Sequence, residues 1–213
     1  MVRTHPQWQA AKQLAASGRL GDVRSMAGYF SYFNDDAANI RNVAAWGGGA
    51  LMDIGCYLIH TSRFIFGEEP IRVSGAIERD PRFGTDRLTS MVLEFPTGQF
   101  VGACATQAAP YQRVQIVGTR ARLEIEIPFN APPDRPCQII VDAATDLDGG
   151  RAEIEFEVCD QYTIQGDVFS EAILDGAGAP CPLEDAVANM RVIDAVLRSA
   201  ASRAPIVPGA EVL

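Results

Sequence analysis

Residues 45–70 read AWGGGALMDIGCYLIHTSRFIFGEEP, and the placement of every other segment follows from how this one is read. Gly47, Gly48 and Gly49 run into an amphipathic stretch expected as a helix from about Ala50 to Phe66, ended by Gly67 and Pro70. The glycines carry no side chain, so another backbone or a ligand can come close before the helix begins. The helix carries Asp53, Tyr57 and His60. With each residue turning about 100°, those three fall within roughly 60° of one another, on one stripe. Leu51, Ile54, Leu58 and Ile65 cluster on a neighbouring face, where they can pack against a sheet.

Upstream, THPQWQAAKQLAASGRLG (4–21) predicts a helix of about three turns, with Thr4 as N-cap, Pro6 in the first turn and Gly18 as the stop. The alternating, aromatic run Val23 to Phe33 predicts a strand, and the Asn/Asp-rich NDDAANIRN (34–42) a loop. Beyond Pro70 the texture changes to strands between turn signals: IRVSGAIERD, RLTSMVLEFP, QFVGACATQA, RVQIVGT, ARLEIEIPF, CQIIVD and AEIEFEV. The FPTGQF turn (95–100) is the clearest hairpin signal. Helical periodicity returns in DQYTIQGDVFSEAILDG (160–176) and PLEDAVANMRVIDAVLRSAASR (182–203). Consecutive strands without intervening helices define an α+β class: an open, mostly antiparallel or mixed β-sheet with helices packed on one face. There is no internal repeat and no linker that would split the chain, so residues 1–213 are expected to form one domain.

Composition removes several functional classes. Net charge is −9 and no cluster of Lys or Arg interrupts it, so a phosphate backbone would be repelled and no nucleic-acid partner is expected. The longest apolar runs fall far short of the roughly 20 residues of a spanning helix, and the N-terminus lacks the layout of a signal peptide, so no membrane partner and a cytoplasmic setting are expected. The five cysteines, Cys56, Cys104, Cys137, Cys159 and Cys181, are odd in number and lack metal-ligand spacing. They read as reduced, mostly buried thiols, and no metal site is expected. Of the 18 basic residues only Lys12 is a lysine. It is the one candidate for any step that needs a tunable ammonium.

Spacing alone leaves the stripe open to two readings. Asp53 suits a helix N-terminus whatever else it does, Tyr57 can be an interface aromatic, and a helical histidine is commonly a satisfied structural partner. A resemblance favours the functional reading. GGGALMDIGCYLIHTSRFIFGEEP, with the segment 1–42 upstream and ANMRVIDAVLRSAASRAPIVP at the end, resembles the C-terminal domain of the glucose-fructose oxidoreductase, inositol dehydrogenase and MocA (Gfo/Idh/MocA) family, over essentially the whole chain. The glycine-rich entry followed by Asp-x-Gly-x-Tyr is its most specific piece. Tyr57 stands where other branches carry His, which makes the sugar-oxidising branch look closest.

The resemblance implies a Rossmann domain preceding this one, with the active site between the two and a sugar, polyol or related secondary alcohol as substrate. It implies that Tyr57 exchanges the hydroxyl proton during hydride transfer and that Asp53 orients the substrate hydroxyl, both as catalytic residues. His60 and Arg41 would bind substrate, and the domain would assemble homo-oligomers through its sheet. Loss of hydride from a carbinol carbon does require a base for the hydroxyl proton, and a phenol with a pKa near 10 serves only if its surroundings lower it. For the uncovered sheet face, Arg122, Glu124 and Glu126 are the charged outward candidates, and Met91, Leu93 and Phe95 the apolar ones.

Two departures limit this. No G-x-G-x-x-G follows a strand, so no NAD or NADP is expected on this chain alone although either is implied for a full-length enzyme. The family's Glu-Lys-Pro motif is also absent, and Lys12 lies on another element. The chain is therefore expected to be the substrate-binding and oligomerising half of an NAD(P)-dependent dehydrogenase, inactive alone. It would be a fragment, a mis-started gene or a natural stand-alone protein. The alternative is a stand-alone, non-catalytic binding or assembly module that keeps the fold.

Overall fold

The computed structural model describes residues 1–143 and 150–209. Its frame is one sheet of eight strands: β1 (Val23–Phe33), β2 (Arg72–Arg79), β3 (Asp86–Glu94), β4 (Gln99–Ala105), β5 (Gln107–Gly118), β6 (Ala121–Ile125), β7 (Cys137–Ala143) and β8 (Arg151–Phe156). Their spatial order is β2-β3-β4-β1-β5-β6-β7-β8. Only β1 and β4 pair in parallel, so the sheet is mixed and otherwise antiparallel. That one pairing exists because the chain leaves β1, forms the glycine-rich entry and its helix, returns through β2 and β3, and re-enters beside β1. The FPTGQF turn closes β3 onto β4, with the Phe95 amide donating to the Gly98 carbonyl at 2.8 Å.

Four α-helices accompany the sheet among the described residues: α1 (Pro6–Ala16), α2 (Cys56–Phe66), α3 (Gln161–Leu174) and α4 (Leu183–Ser202). The core lies between the sheet and α1, α2 and α4, where Trp8, Leu58, Ile59, Phe100, Val192 and Val196 are all but inaccessible. Each such large apolar side chain contributes about 1.5–3 kcal/mol by leaving water. The α+β class and the one-sided helical layer thus agree with the sequence reading.

Three local expectations are corrected. The cap of α1 is His5, whose Nδ1 accepts from the Gln7 amide at 3.2 Å, because the Thr4 hydroxyl is already committed to the Met1 carbonyl at 2.6 Å. The central helix does not start as an α-helix: Leu51–Gly55 form a π-turn, in which the Cys56 amide reaches back five residues to the Leu51 carbonyl. Finally, Met91, Leu93 and Phe95 face the helices and are buried, at 2%, 0% and 4% exposure. The open face instead carries Ala27, Tyr29, Ser90, Val92, Val101 and Ala103, which border a shallow depression of about 610 Å³. Arg122 and Glu124 lie on the open side as expected, in ion pairs with Asp142 and Arg113.

Candidate active site

The glycine-rich entry is shaped by two contacts that no side chain could survive. A Cβ on Gly48 would stand 2.4 Å from the Arg41 carbonyl oxygen, so this glycine lets the loop carrying Arg41 lie directly on the helix entry. Gly49 adopts φ 125°, and a Cβ there would stand 1.8 Å from Asp86 Oδ1. The buried Asp86 carboxylate accepts from the Leu51 amide at 2.7 Å and from the Thr89 hydroxyl at 2.8 Å. It satisfies an amide at the start of the π-turn that would otherwise be orphaned, and fixes that turn to β3. π-turns of this kind recur at functional sites.

Asp53 sits in the π-turn and Tyr57 one turn later, and both face a cleft of about 360 Å³ whose walls also include Phe30, Tyr32, Arg41 and Asn130. Arg41 Nε donates to Asp53 Oδ1 at 2.8 Å, and the Tyr32 hydroxyl donates to Asp53 Oδ2 at 2.5 Å. Burial, followed by the bond to Asp53, drives the Tyr32 phenol far above its ordinary value, so it remains a donor. Asp53 is thus gripped at both oxygens by groups from two other elements.

The Tyr57 ring rests on an aromatic floor. Its centroid lies 6.1 Å from that of Phe30 and 6.0 Å from that of Phe129, and those two rings stack at 4.7 Å. Phe129 belongs to a segment without regular structure, held by side chains instead. Gln7 donates to the Ile127 carbonyl, Trp8 to Pro128 and Gln161 to Phe129, while Gln112 Oε1 accepts from the Phe129 and Asn130 amides. The Tyr57 hydroxyl makes no hydrogen bond among the described residues. Its pKa is raised chiefly by burial, then by neighbouring Cys56, Tyr162 and Asp53, while Arg41 opposes the shift. The group is a neutral phenol in this chain.

His60 is not brought to the cleft with Asp53 and Arg41. Three residues beyond Tyr57 the helix has turned about 300°, which aims position 60 towards α4. Its Nδ1 lies 3.4 Å from Asp185 Oδ2, and the other Asp185 oxygen binds Arg3 at 2.9 Å and Arg63 at 3.1 Å. Burial first, and then Arg3, lower its pKa to about 4. His60 meets Tyr57 only across a second cavity of about 420 Å³ between α2 and α4. Lys12 is also remote, donating to the Ile65 carbonyl at 3.2 Å with its ammonium over the Phe64 ring.

The sequence reading missed Tyr32 and Phe129. Tyr32 shares a strand face with the buried Met26 and Phe30, and a phenol at the end of an apolar face needs a partner for its hydroxyl, a signal that was available. Phe129 gave none, because its place depends on four side chains from distant segments. Among the described residues no group of three or more His, Cys, Asp or Glu could hold a metal ion, and all five cysteines are unpaired. Cys104 and Cys137 are buried, whereas Cys181 is exposed.

An acid, a phenol and a guanidinium thus meet around a polar cleft at the end of the central strand β1, on an open sheet with a one-sided helical layer. The comparisons give the family. The GFO/IDH/MocA C-terminal domain model matches residues 8–124. An uncharacterized oxidoreductase of Rhizobium meliloti is 43% identical over 94% of this chain and 60% of its own length. A D-xylose 1-dehydrogenase (NADP(+)) of Haloferax volcanii is 34% identical over 97% of this chain and 62% of its own length. Among solved structures, the aldose-aldose oxidoreductase of Caulobacter crescentus complexed with glycerol superposes with a TM-score of 0.86 at 27% identity, over 97% of this chain and 62% of that one. The chain belongs to the Gfo/Idh/MocA oxidoreductase family, where it corresponds to the C-terminal part, and it spans about 60% of the length of those relatives. No helix among the described residues is long and apolar enough to cross a membrane.

Proposed function

We propose that this chain is the substrate-binding half of an NAD(P)-dependent oxidoreductase acting on a sugar, polyol or related secondary alcohol. The observation that carries the reading is the meeting around one polar cleft of Asp53 and Tyr57, which follow the glycine-rich entry, with Arg41, which precedes it. The chain's own residues do not fit a dinucleotide. The glycine-rich entry at Gly47, Gly48 and Gly49 follows a 3-10 turn, Ala44–Trp46, rather than a strand, so the βαβ phosphate turn is lacking there. In this reading the cofactor is held by the N-terminal part of the relatives and supplies the hydride acceptor or donor.

The share of the chemistry that belongs to this chain is proton transfer and orientation. As a neutral phenol Tyr57 is ready to donate its proton to a carbonyl oxygen that is gaining negative charge. In the oxidising direction the same oxygen takes the hydroxyl proton, which requires the phenol to be ionised first. Burial opposes that ionisation, and the chain's one lysine is committed elsewhere. Arg41 is the cation of this chain that favours the ionisation, and a further cation at the junction with the N-terminal part would favour it more, in keeping with the expectation that the chain alone is inactive. Arg41 lines the substrate pocket beside Asp53. His60 is left out of the substrate contacts and assigned to the packing of α2 against α4. Copies associate through the open sheet face, where β1 and β4 present small and apolar side chains.

The test is a fusion of this chain behind the N-terminal part of the Rhizobium meliloti relative. Sugar-dependent reduction of NAD or NADP, with D-xylose or D-glucose as probe, is the expected result. A folded fusion that turns over neither sugar supports the non-catalytic binding module instead.

A further inference from the structure

Asp53 is held more tightly than a substrate contact requires. Tyr32, at the end of β1, donates to Oδ2, and Arg41, from the turn Ile40–Asn42, donates to Oδ1. Both partners line the same cleft as Asp53, and the carboxylate side chain keeps 21% of its surface accessible. Each oxygen has spent one acceptor site on the protein and retains another. A carboxylate held by two donors in this way is an acceptor for a hydroxyl that brings its own hydrogen.

Resting on the function proposed above, we propose that Tyr32 is a positioning residue which, with Arg41, fixes Asp53 as an acceptor for a substrate hydroxyl next to the reacting one. Tyr57 is then the chain's proton-transfer group. Asp53 and Tyr57 lie four residues apart on one side of the helix and line one cleft, so a substrate whose reacting carbinol meets Tyr57 can set a neighbouring hydroxyl on Asp53. Recognition of that second hydroxyl depends on Tyr32. Replacing the phenol frees one carboxylate oxygen to rotate and to bind water, which weakens that recognition without touching the proton-transfer group.

The contact is tested first in this chain, carrying tyrosine labelled with ¹³C at the ζ carbon. Tyr32 is expected to keep its neutral-phenol shift at about pH 11, where exposed tyrosines ionise, and to ionise at a lower pH in Asp53→Asn than in the wild-type chain, while burial still holds it above the exposed tyrosines. A Tyr32 that ionises with the exposed tyrosines in the wild-type chain overturns the proposal. Its consequence is tested in the fusion, on whichever of D-xylose and D-glucose is oxidised faster and on that sugar's 2-deoxy form. Tyr32→Phe is expected to raise KM roughly tenfold for the intact sugar, leave kcat within about threefold, and shrink the preference over the deoxy sugar by a similar factor. That preference is a ratio within one preparation, so partial unfolding cannot imitate the result. An equal loss of kcat/KM on both sugars, or a fall in kcat at unchanged KM, overturns it. If the wild-type fusion turns over neither sugar, the proposed function fails while the tyrosine titration still decides whether Tyr32 holds Asp53.

Discussion

Gly49→Ala perturbs the entry to the site at a point where two costs combine. At φ 125° an L-residue is strained by about 1–3 kcal/mol. The new Cβ would also stand 1.8 Å from Asp86 Oδ1, in a place where the carboxylate is buried and cannot simply swing into water. Moving Asp86 aside strips the Leu51 amide of its 2.7 Å acceptor, and a buried amide left unsatisfied costs about 1–3 kcal/mol more. A loss of roughly 4 kcal/mol lies at the centre of these ranges, a large part of the roughly 5–15 kcal/mol of a typical domain. For a chain of this size that lowers Tm by roughly 8–16 °C. Thermal and urea unfolding followed by circular dichroism give the value. The double variant Gly49→Ala/Asp86→Ala locates its origin, because the clash is absent there and the two changes should fall short of additivity by about 1–3 kcal/mol. A loss under about 1 kcal/mol for Gly49→Ala, or full additivity, would refute the claim that Asp86 pins the π-turn.

Acidification should destabilise the chain through His60. Its folded pKa of about 4 lies below the ordinary 6.5, so above pH 6.5 both states are neutral and nothing is lost. Between 6.5 and 4 only the unfolded state binds the proton, and stability falls by up to about 3 kcal/mol. Unfolding free energies across that window should show the slope in the wild type and a flatter one in His60→Gln. An unchanged slope in the variant refutes the assignment. On the open sheet face, Val101→Glu should convert a dimer or tetramer that persists on dilution into a monomer in sedimentation experiments, since Val101 is 48% exposed on β4 beside the depression. A wild-type chain that is monomeric at all concentrations refutes association through this face.

Much of the fold was legible because periodicity is a local property. The alternation from Val23 to Phe33 marks β1 with its observed bounds, and the helical pattern of 182–203 marks α4. Which face of a strand is covered is not local. The sequence shows that Met91, Leu93 and Phe95 share a face, but α1, α2 and α4, far away in the chain, decide that this face is the core. The π-turn was hidden for a related reason, since a bond five residues back leaves the apolar pattern of Leu51 and Ile54 looking α-helical. At the site, Asp53 and Tyr57 were legible as neighbours on one helix and Arg41 as a site residue, whereas the contacts with Tyr32 and Phe129 were not read. Tyr32 is 21 residues from Asp53 in sequence, and Phe129 is set against Tyr57 by side chains from distant segments. His60 shows the limit of a helical stripe as a signal. About 60° of rotation and one turn of rise were enough to give it to Asp185 instead of the cleft.

The most direct test of the whole account is the steady-state rate of Tyr57→Phe in the fusion with the Rhizobium meliloti N-terminal part. The substitution keeps the ring against Phe30 and Phe129 and removes only the hydroxyl. The account predicts a kcat lower by roughly two to four orders of magnitude with KM within a few-fold, the size expected when a general acid or base is lost. A kcat equal to that of the unmodified fusion would contradict it and leave Tyr57 as packing on the aromatic floor.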